Sequence, residues 1–201
     1  MSRDRELLES AVSYALTEAA LVTPPLLSSP TPCPGWDLEM LLDHVVDSVG
    51  VLREAITTGG ISGSVGVAPG SAVRPSLDPV ARLRRETARL LAAGAAPGLA
   101  DGGVAIGDRE LTANLVTVAG AMEIAVHGWD ISVACGAGQV IPSGLAAVLL
   151  PIAPLLITAE TRVGLFADPV RLPGPAGPGD ELVAFLGRQP RRLAASEPRS
   201  T

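Results

Sequence analysis

Apolar residues recur at helical spacing in several long segments, which are separated by stretches rich in glycine and proline. After Asp37, a residue type that favours helix N-termini, one apolar stripe comprises Leu41, Leu42, Val45, Val46, Val49 and Leu52. Asp78-Pro79 is a second helix-start signal. The pattern predicts an all-α bundle with up to five main helices. The predicted helical ranges are 4–22, 37–57, 78–93, 110–134 and 143–159, followed by a short helix at 180–187.

The segments between these helices have a different composition. Residues 59–70 and 94–108 are rich in glycine and predict surface loops, the first mobile and the second with a short turn or hairpin. Pro151 and Pro154 are expected to kink the fifth helix. Residues 163–173 are expected to be extended.

Charge and composition restrict the classes of partner. The 201 residues carry a net charge of −6, so a basic surface for nucleic acid is not expected. The longest apolar run, residues 144–159, is shorter than the roughly 18–20 residues that cross a bilayer, so no membrane segment is expected. A charged N-terminus and only two cysteines favour a cytoplasmic protein with reduced thiols. We expect one domain over 1–190 and a disordered tail over 191–201.

The two histidines of the chain, His44 and His127, both fall in predicted core helices. Glu123 precedes His127 by four residues, which places a carboxylate and an imidazole one turn apart on the same helix face. If the second and fourth helices pack together, the three side chains offer two nitrogens and one oxygen to a divalent metal, with coordination positions left open. Because this spacing also arises by chance, a structural role as a hydrogen-bonded core or ion-pair residue is the alternative for each histidine.

Two segments carry a family resemblance: TPCPGWDLEMLLDHVVDSVG (31–50) and EIAVHGWDISVACG (123–136). They resemble the DinB-like proteins, and in particular the metal-binding branch related to the N-terminal domain of mycothiol-dependent maleylpyruvate isomerase. DELVAFLGRQP (180–190) is similar to the ending of small single-domain members. The resemblance implies a DinB-like four-helix bundle with a short C-terminal extension, which we expect to form a small β-hairpin or an extended segment.

The resemblance also implies a metal triad and a cosubstrate. The family's metal ligands correspond to His44, Glu123 and His127, with zinc as the expected metal and nickel as the second choice. The expected thiol cosubstrate is mycothiol. Full-length maleylpyruvate isomerase has a second, C-terminal domain, whereas only about seventy residues follow the H-G-W-D motif here, so we expect related thiol chemistry and not maleylpyruvate isomerisation itself.

These expectations lead to one main functional hypothesis and two alternatives. The main hypothesis is a metal-dependent S-transferase or isomerase, in which a thiolate formed at the metal attacks a small electrophile. The alternatives are a non-catalytic metal- or ligand-binding protein and a hydrolase that uses zinc-bound water.

Further residues are candidates for supporting roles. Asp47 and Asp130 each follow a site histidine by three residues and could orient its ring, although a solvated or capping charge is the alternative. Cys33 precedes a helix start and could be a nucleophile, but a small buried cysteine in a structural turn is the commoner case, and Cys135 is a weaker candidate. The catalytic and thiol-binding residues are otherwise not assigned.

The remaining expectations concern packing and assembly. We expect Trp36 and Trp129 to pack the bundle. The arginines of the third helix are expected to face water, with contact to a ligand carboxylate as the alternative; they are Arg82, Arg84, Arg85 and Arg89. The apolar fifth helix predicts a homodimer.

Overall fold

Four helices pack side by side in the computed structural model, which describes residues 3–61, 78–94, 103–106 and 109–190. They are α1 (Arg3–Ala19), α2 (Leu38–Thr58), α3 (Pro79–Ala93) and α4 (Ala113–Ala134). α1 packs against α4, and α2 packs against both α3 and α4. The predicted all-α class and DinB-like four-helix bundle are confirmed. The chain divides into two compact units, Met1–Ile141 and Pro142–Thr201, and the bundle belongs to the first.

The ends of the bundle helices follow from local chemistry. The Asp37 side chain accepts a hydrogen bond from the Met40 backbone N–H at 2.9 Å and so caps α2. Gly59 ends that helix in the left-handed conformation (φ 70°), which favours glycine. Asp78 caps α3 in the same way, through the Val80 N–H at 3.0 Å, and Pro79 occupies its first position.

The core of the first unit lies between the four helices α1 to α4. Its largest fully buried side chains include Leu38, Leu41, Leu42, Val45, Val49, Leu83, Leu90, Ile124 and Ile131. Burial of each such side chain contributes about 1.5–3 kcal/mol to folding. This apolar contact fixes the faces of α2 and α4 that meet, and thereby the positions of the polar side chains beside it.

A small three-stranded sheet precedes α4 in the chain. Its strands are β1 (Gly60–Ile61), β2 (Gly103–Ile106) and β3 (Arg109–Thr112). β1 pairs with β2 in parallel and β2 with β3 antiparallel. α4 therefore begins at Ala113 and not at Glu110 as predicted, because Glu110 is paired with Ala105 in the hairpin. The Thr112 hydroxyl caps the helix by accepting from the Leu115 N–H at 3.3 Å.

The second unit consists of short helices. They are α5 (Ser143–Leu149), α6 (Ala153–Leu156), α7 (Ala159–Arg162) and α8 (Pro178–Phe185). The prediction of one kinked helix over 143–159 is wrong: the chain turns after Leu149, and Pro151 and Pro154 cannot donate the hydrogen bonds that would continue it. α5 packs against α8, and the Val170 N–H donates to the Ala184 carbonyl at 2.8 Å.

Residues 163–166 form a turn and a bend where the sequence predicted an extended segment over 163–173, and residues 167–172 have no regular secondary structure. Single-domain organisation over 1–190 stays a prediction. Most of the glycine-rich stretches and the tail 191–201 lie outside the described residues. Among the helices that the structure describes, none combines the length and the hydropathy needed to cross a bilayer.

Candidate metal centre

Two helices bring the three predicted donors together. His44 projects from α2, while Glu123 and His127 lie one turn apart on the facing side of α4. Glu123 Oε1 lies 3.0 Å from His44 Nε2 and 3.1 Å from His127 Nε2. The rings of the two histidines meet edge to face, with centroids 5.0 Å apart.

These separations suit a small divalent cation. The three donor atoms all lie within 4.8 Å of one another. Neighbouring ligands of a tetrahedral zinc, at bond lengths of about 2.0–2.1 Å, are roughly 3.3 Å apart, close to the spacing observed here. Two imidazoles and one carboxylate form a donor set that zinc and nickel both accept. The residue types and the spacing of Glu123 from each histidine therefore fit a metal site.

Electrostatic coupling within the cluster is strong. Burial alone would raise the pKa of Glu123, but the charges and hydrogen bonds of His127 and His44 outweigh it and hold the pKa well below the usual range. Burial alone would lower the pKa of His127, but the charge of Glu123 and the hydrogen bond to Asp130 raise it well above the usual range.

A buried carboxylate supports His127 from the side away from Glu123. Asp130 is fully buried, and its Oδ2 accepts the Nδ1–H of His127 at 2.9 Å. This bond keeps a proton on Nδ1 and orients the ring so that Nε2 is directed at Glu123. The Cys33 thiol donates to the same Oδ2 at 3.4 Å. Cys33 and Asp130 with His127 thus form a second donor group that shares one imidazole with the first.

The turn before α2 carries two side chains to the cluster. The Thr31 hydroxyl donates to the Trp36 carbonyl at 3.0 Å and accepts from the Cys33 N–H at 3.1 Å. Gly35 has φ 80°, a conformation that favours glycine. The folded turn sets Cys33 beside Asp130 and Trp36 edge-on to His44, with ring centroids 4.7 Å apart.

The chain matches the protein family described as the mycothiol maleylpyruvate isomerase N-terminal domain over residues 8–132. The match covers more than half of the chain and includes all three donors. The chain belongs to this family.

Two relatives of this family member are the uncharacterized proteins Rv0738 and MT0763 of Mycobacterium tuberculosis, from strains H37Rv and CDC 1551. Each is 28% identical over 170 residues, a stretch that covers 82% of this chain and 86% of the relative. No solved structure matches the chain significantly.

The two aspartates at equal spacing from the histidines have different surroundings. Asp130 is buried and hydrogen-bonded to His127, whereas Asp47 is exposed on α2. No hydrogen bond or ion pair among the described residues joins Asp47 to His44. The structure thus brings one of these two candidates to the cluster and leaves the other in solvent.

The other residues that the sequence singled out occupy mixed environments. Trp129 is buried in the core, and Trp36 is partly exposed beside His44. Burial and the charge of Glu18 raise the pKa of the Cys135 thiol. Three of the four arginines of α3 are exposed, and Arg82 pairs with Asp43 of α2.

The sequence analysis did not identify Ser48, a polar residue beside the donor cluster. Ser48 lies one turn after His44 on α2, and its Oγ is 3.4 Å from Glu123 Oε1 and 3.5 Å from His44 Nε2. The four-residue spacing that drew attention to Glu123 and His127 also relates His44 to Ser48, so the signal was present in the sequence.

Proposed function

We propose that this chain is a metal-dependent enzyme of thiol chemistry, a transferase or isomerase that joins a low-molecular-weight thiol to a small electrophile. His44, Glu123 and His127 would hold the metal, with zinc as the first choice and nickel as the second. The observation that carries the proposal is the convergence of these three donors within 4.8 Å in a chain of the mycothiol maleylpyruvate isomerase N-terminal domain family.

The donor number favours a catalytic over a structural metal. Closed structural zinc sites use four protein ligands, whereas catalytic sites use three and keep a position open. The side chains of His44 and Glu123 are 27% and 36% exposed, which gives a small molecule access to the cluster. A divalent metal held there supplies a lowered thiol pKa, and therefore thiolate, the reactive form, at neutral pH.

The chain's own residues divide the remaining work. Glu123 serves as a ligand and not as a general base, since its carboxylate faces both histidines. Asp130 holds the proton on His127 Nδ1 and orients the ring. Trp36 lies against His44 at the partly exposed edge of the cluster, where it shields one side from water.

Mycothiol is the proposed thiol, on the strength of the family alone, and the electrophile is proposed as a small organic molecule. The test uses protein purified without an affinity tag and loaded with one metal, mixed with mycothiol and a panel of enones, epoxides and alkyl halides. Turnover that needs both metal and thiol is expected. His127→Ala should abolish it, while the exposed-charge control Asp47→Asn should retain it.

Other results would support the alternatives. Turnover without added thiol would identify a hydrolase that uses metal-bound water. A metal-loaded protein that neither binds mycothiol nor changes the rate with any electrophile would overturn the enzyme proposal and leave a metal-binding role.

We also propose a homodimer. Leu155, Val163 and Leu165 of the second unit are large apolar side chains that are exposed in the single chain, which supports a contact with a second copy. Light scattering at tens of micromolar, a concentration of the order at which modest interfaces associate, is expected to report twice the monomer mass. A monomer mass would refute the dimer.

A further inference from the structure

The Ser48 hydroxyl is placed differently from the hydroxyls of Ser10 and Thr17 in α1. The hydroxyls of Ser10 and Thr17 donate to the backbone carbonyl four residues earlier, at 2.8 and 2.9 Å. Ser48 Oγ instead faces His44 Nε2 and Glu123 Oε1. The pair His44 and Ser48 on α2 therefore faces the pair Glu123 and His127 on α4, each with four-residue spacing. Of these four residues, Ser48 is the one whose side chain is not a usual metal ligand.

The contacts of Ser48 within the cluster are long. A good O–H···O hydrogen bond measures about 2.5–3.0 Å, whereas Ser48 Oγ lies 3.4 Å from the Glu123 oxygen and 3.5 Å from the His44 nitrogen. A cation held by His44 and Glu123 would use the only lone pair of the His44 nitrogen and one of those on the Glu123 oxygen. The Ser48 proton is then available to a better acceptor next to these two atoms.

The accessible side of the cluster is the side that Ser48 contacts. The His127 side chain is 8% exposed, and its second nitrogen is engaged by Asp130. The His44 and Glu123 side chains, both next to Ser48, are 27% and 36% exposed. A molecule that reaches the donors from solvent therefore arrives beside the Ser48 hydroxyl.

We propose that Ser48 binds the sulfur of the thiol cosubstrate, to which its hydroxyl donates a hydrogen bond. An anionic sulfur accepts such a bond more strongly than a neutral thiol, because hydrogen bonds to charged groups are the stronger class. Ser48 thus selects the thiolate form and orients it between α2 and α4. This role rests on the proposed function, since it presupposes a thiol at the metal donors.

The test follows sulfur binding directly and does not depend on turnover. The full chain is loaded with Co²⁺, and N-acetyl-L-cysteine is titrated while the sulfur-to-cobalt charge-transfer absorption is recorded over a range of pH. Loss of a hydrogen bond to a charged group predicts that Ser48→Ala weakens thiol affinity about tenfold and raises the pH midpoint of the absorption by about one unit. Ser48→Thr should keep both values near wild type, and Ser10→Ala serves as the control for loss of a hydroxyl elsewhere.

The possible results separate this inference from the proposed function. Equal cobalt content with weaker thiol binding and a shifted midpoint in Ser48→Ala supports the sulfur contact. Unchanged affinity and midpoint in that variant overturn it and leave the proposed function standing. Loss of cobalt from Ser48→Ala also overturns it, because the hydroxyl would then act on the metal ligands. Absence of the charge-transfer absorption in the wild type overturns the inference and the proposed thiol chemistry together.

Discussion

Asp130→Asn tests how much the buried Asp130 carboxylate, through its hydrogen bond to His127, contributes to the metal affinity of the proposed site. In the wild type, Asp130 Oδ2 accepts from His127 Nδ1 at 2.9 Å with no exposure to solvent. An asparagine keeps the shape, but it removes the negative charge and presents an amide that can turn its N–H groups to the ring. Loss of such a supporting carboxylate weakens metal binding 10–100-fold, or by about 1.4–2.7 kcal/mol. We expect a loss of zinc affinity in this range.

The chain supplies a matched control in Asp47→Asn. Asp47 has the same three-residue spacing from a site histidine, but it is exposed and, among the described residues, makes no hydrogen bond or ion pair with His44. The dissociation constant for zinc is measured by competition with a chromophoric chelator, at one pH, for the wild type and both variants. Melting temperatures in excess chelator show whether each variant folds.

Asp47→Asn is expected to stay within about twofold of the wild type, since an exposed charge is screened by solvent. Equal zinc affinity for Asp130→Asn and wild type would refute the reasoning, because the orientation of His127 would then not depend on the buried carboxylate. An equal loss in both variants would refute it as well, since it would reflect net charge alone.

Three further predictions follow from the same structure. Burial alone would lower the pKa of His127, but the Glu123 charge raises it on balance, and the protonated ring cannot bind a metal. Zinc affinity, measured by titration, should therefore fall as the pH drops from about 8 to about 5. A constant affinity over this range would contradict the prediction. Cys33→Ala should keep thiol-dependent turnover within a few-fold of the wild-type rate, because the Cys33 side chain donates a hydrogen bond to the buried Asp130 carboxylate. Complete loss of turnover would instead identify Cys33 as a nucleophile. Gly128→Ala should destabilise the fold by about 1–3 kcal/mol in urea unfolding, because the new Cβ would lie 3.0 Å from the α1 backbone. The control Gly50→Ala places a Cβ that meets nothing within 4 Å and should be neutral or stabilising. Equal effects of the two substitutions would contradict the packing argument.

Local signals in the sequence were sufficient for most of the bundle. Asp37 and Asp78 mark helix starts that the structure reproduces, because an N-cap depends only on the next few residues. Strand pairing was not readable in this way. Glu110 was predicted to be helical, but it belongs to β3 and pairs with Ala105 of β2. Pro151, predicted to kink a helix, instead lies where that helix has ended.

In the candidate site, too, local spacing could be predicted from the sequence, whereas contacts between distant residues could not. The four-residue spacing of Glu123 and His127 on one helix is a local property and could be predicted. The approach of His44 depends on how α2 packs against α4, which apolar periodicity does not determine. The contact between Cys33 and Asp130 joins residues 97 positions apart, and it depends on the folded turn before α2. Proximity of that kind can be identified only in the folded structure.

Metal content tests the central claim most directly. Protein purified without an affinity tag is analysed by elemental mass spectrometry for the wild type, for His127→Ala and for the control Asp47→Asn. We predict about one zinc or nickel ion per chain in the wild type and in the control, and loss of the ion in His127→Ala. A wild-type protein that holds no metal and takes up none when Zn²⁺ or Ni²⁺ is added would contradict the account, and the two histidines would then serve the structure alone.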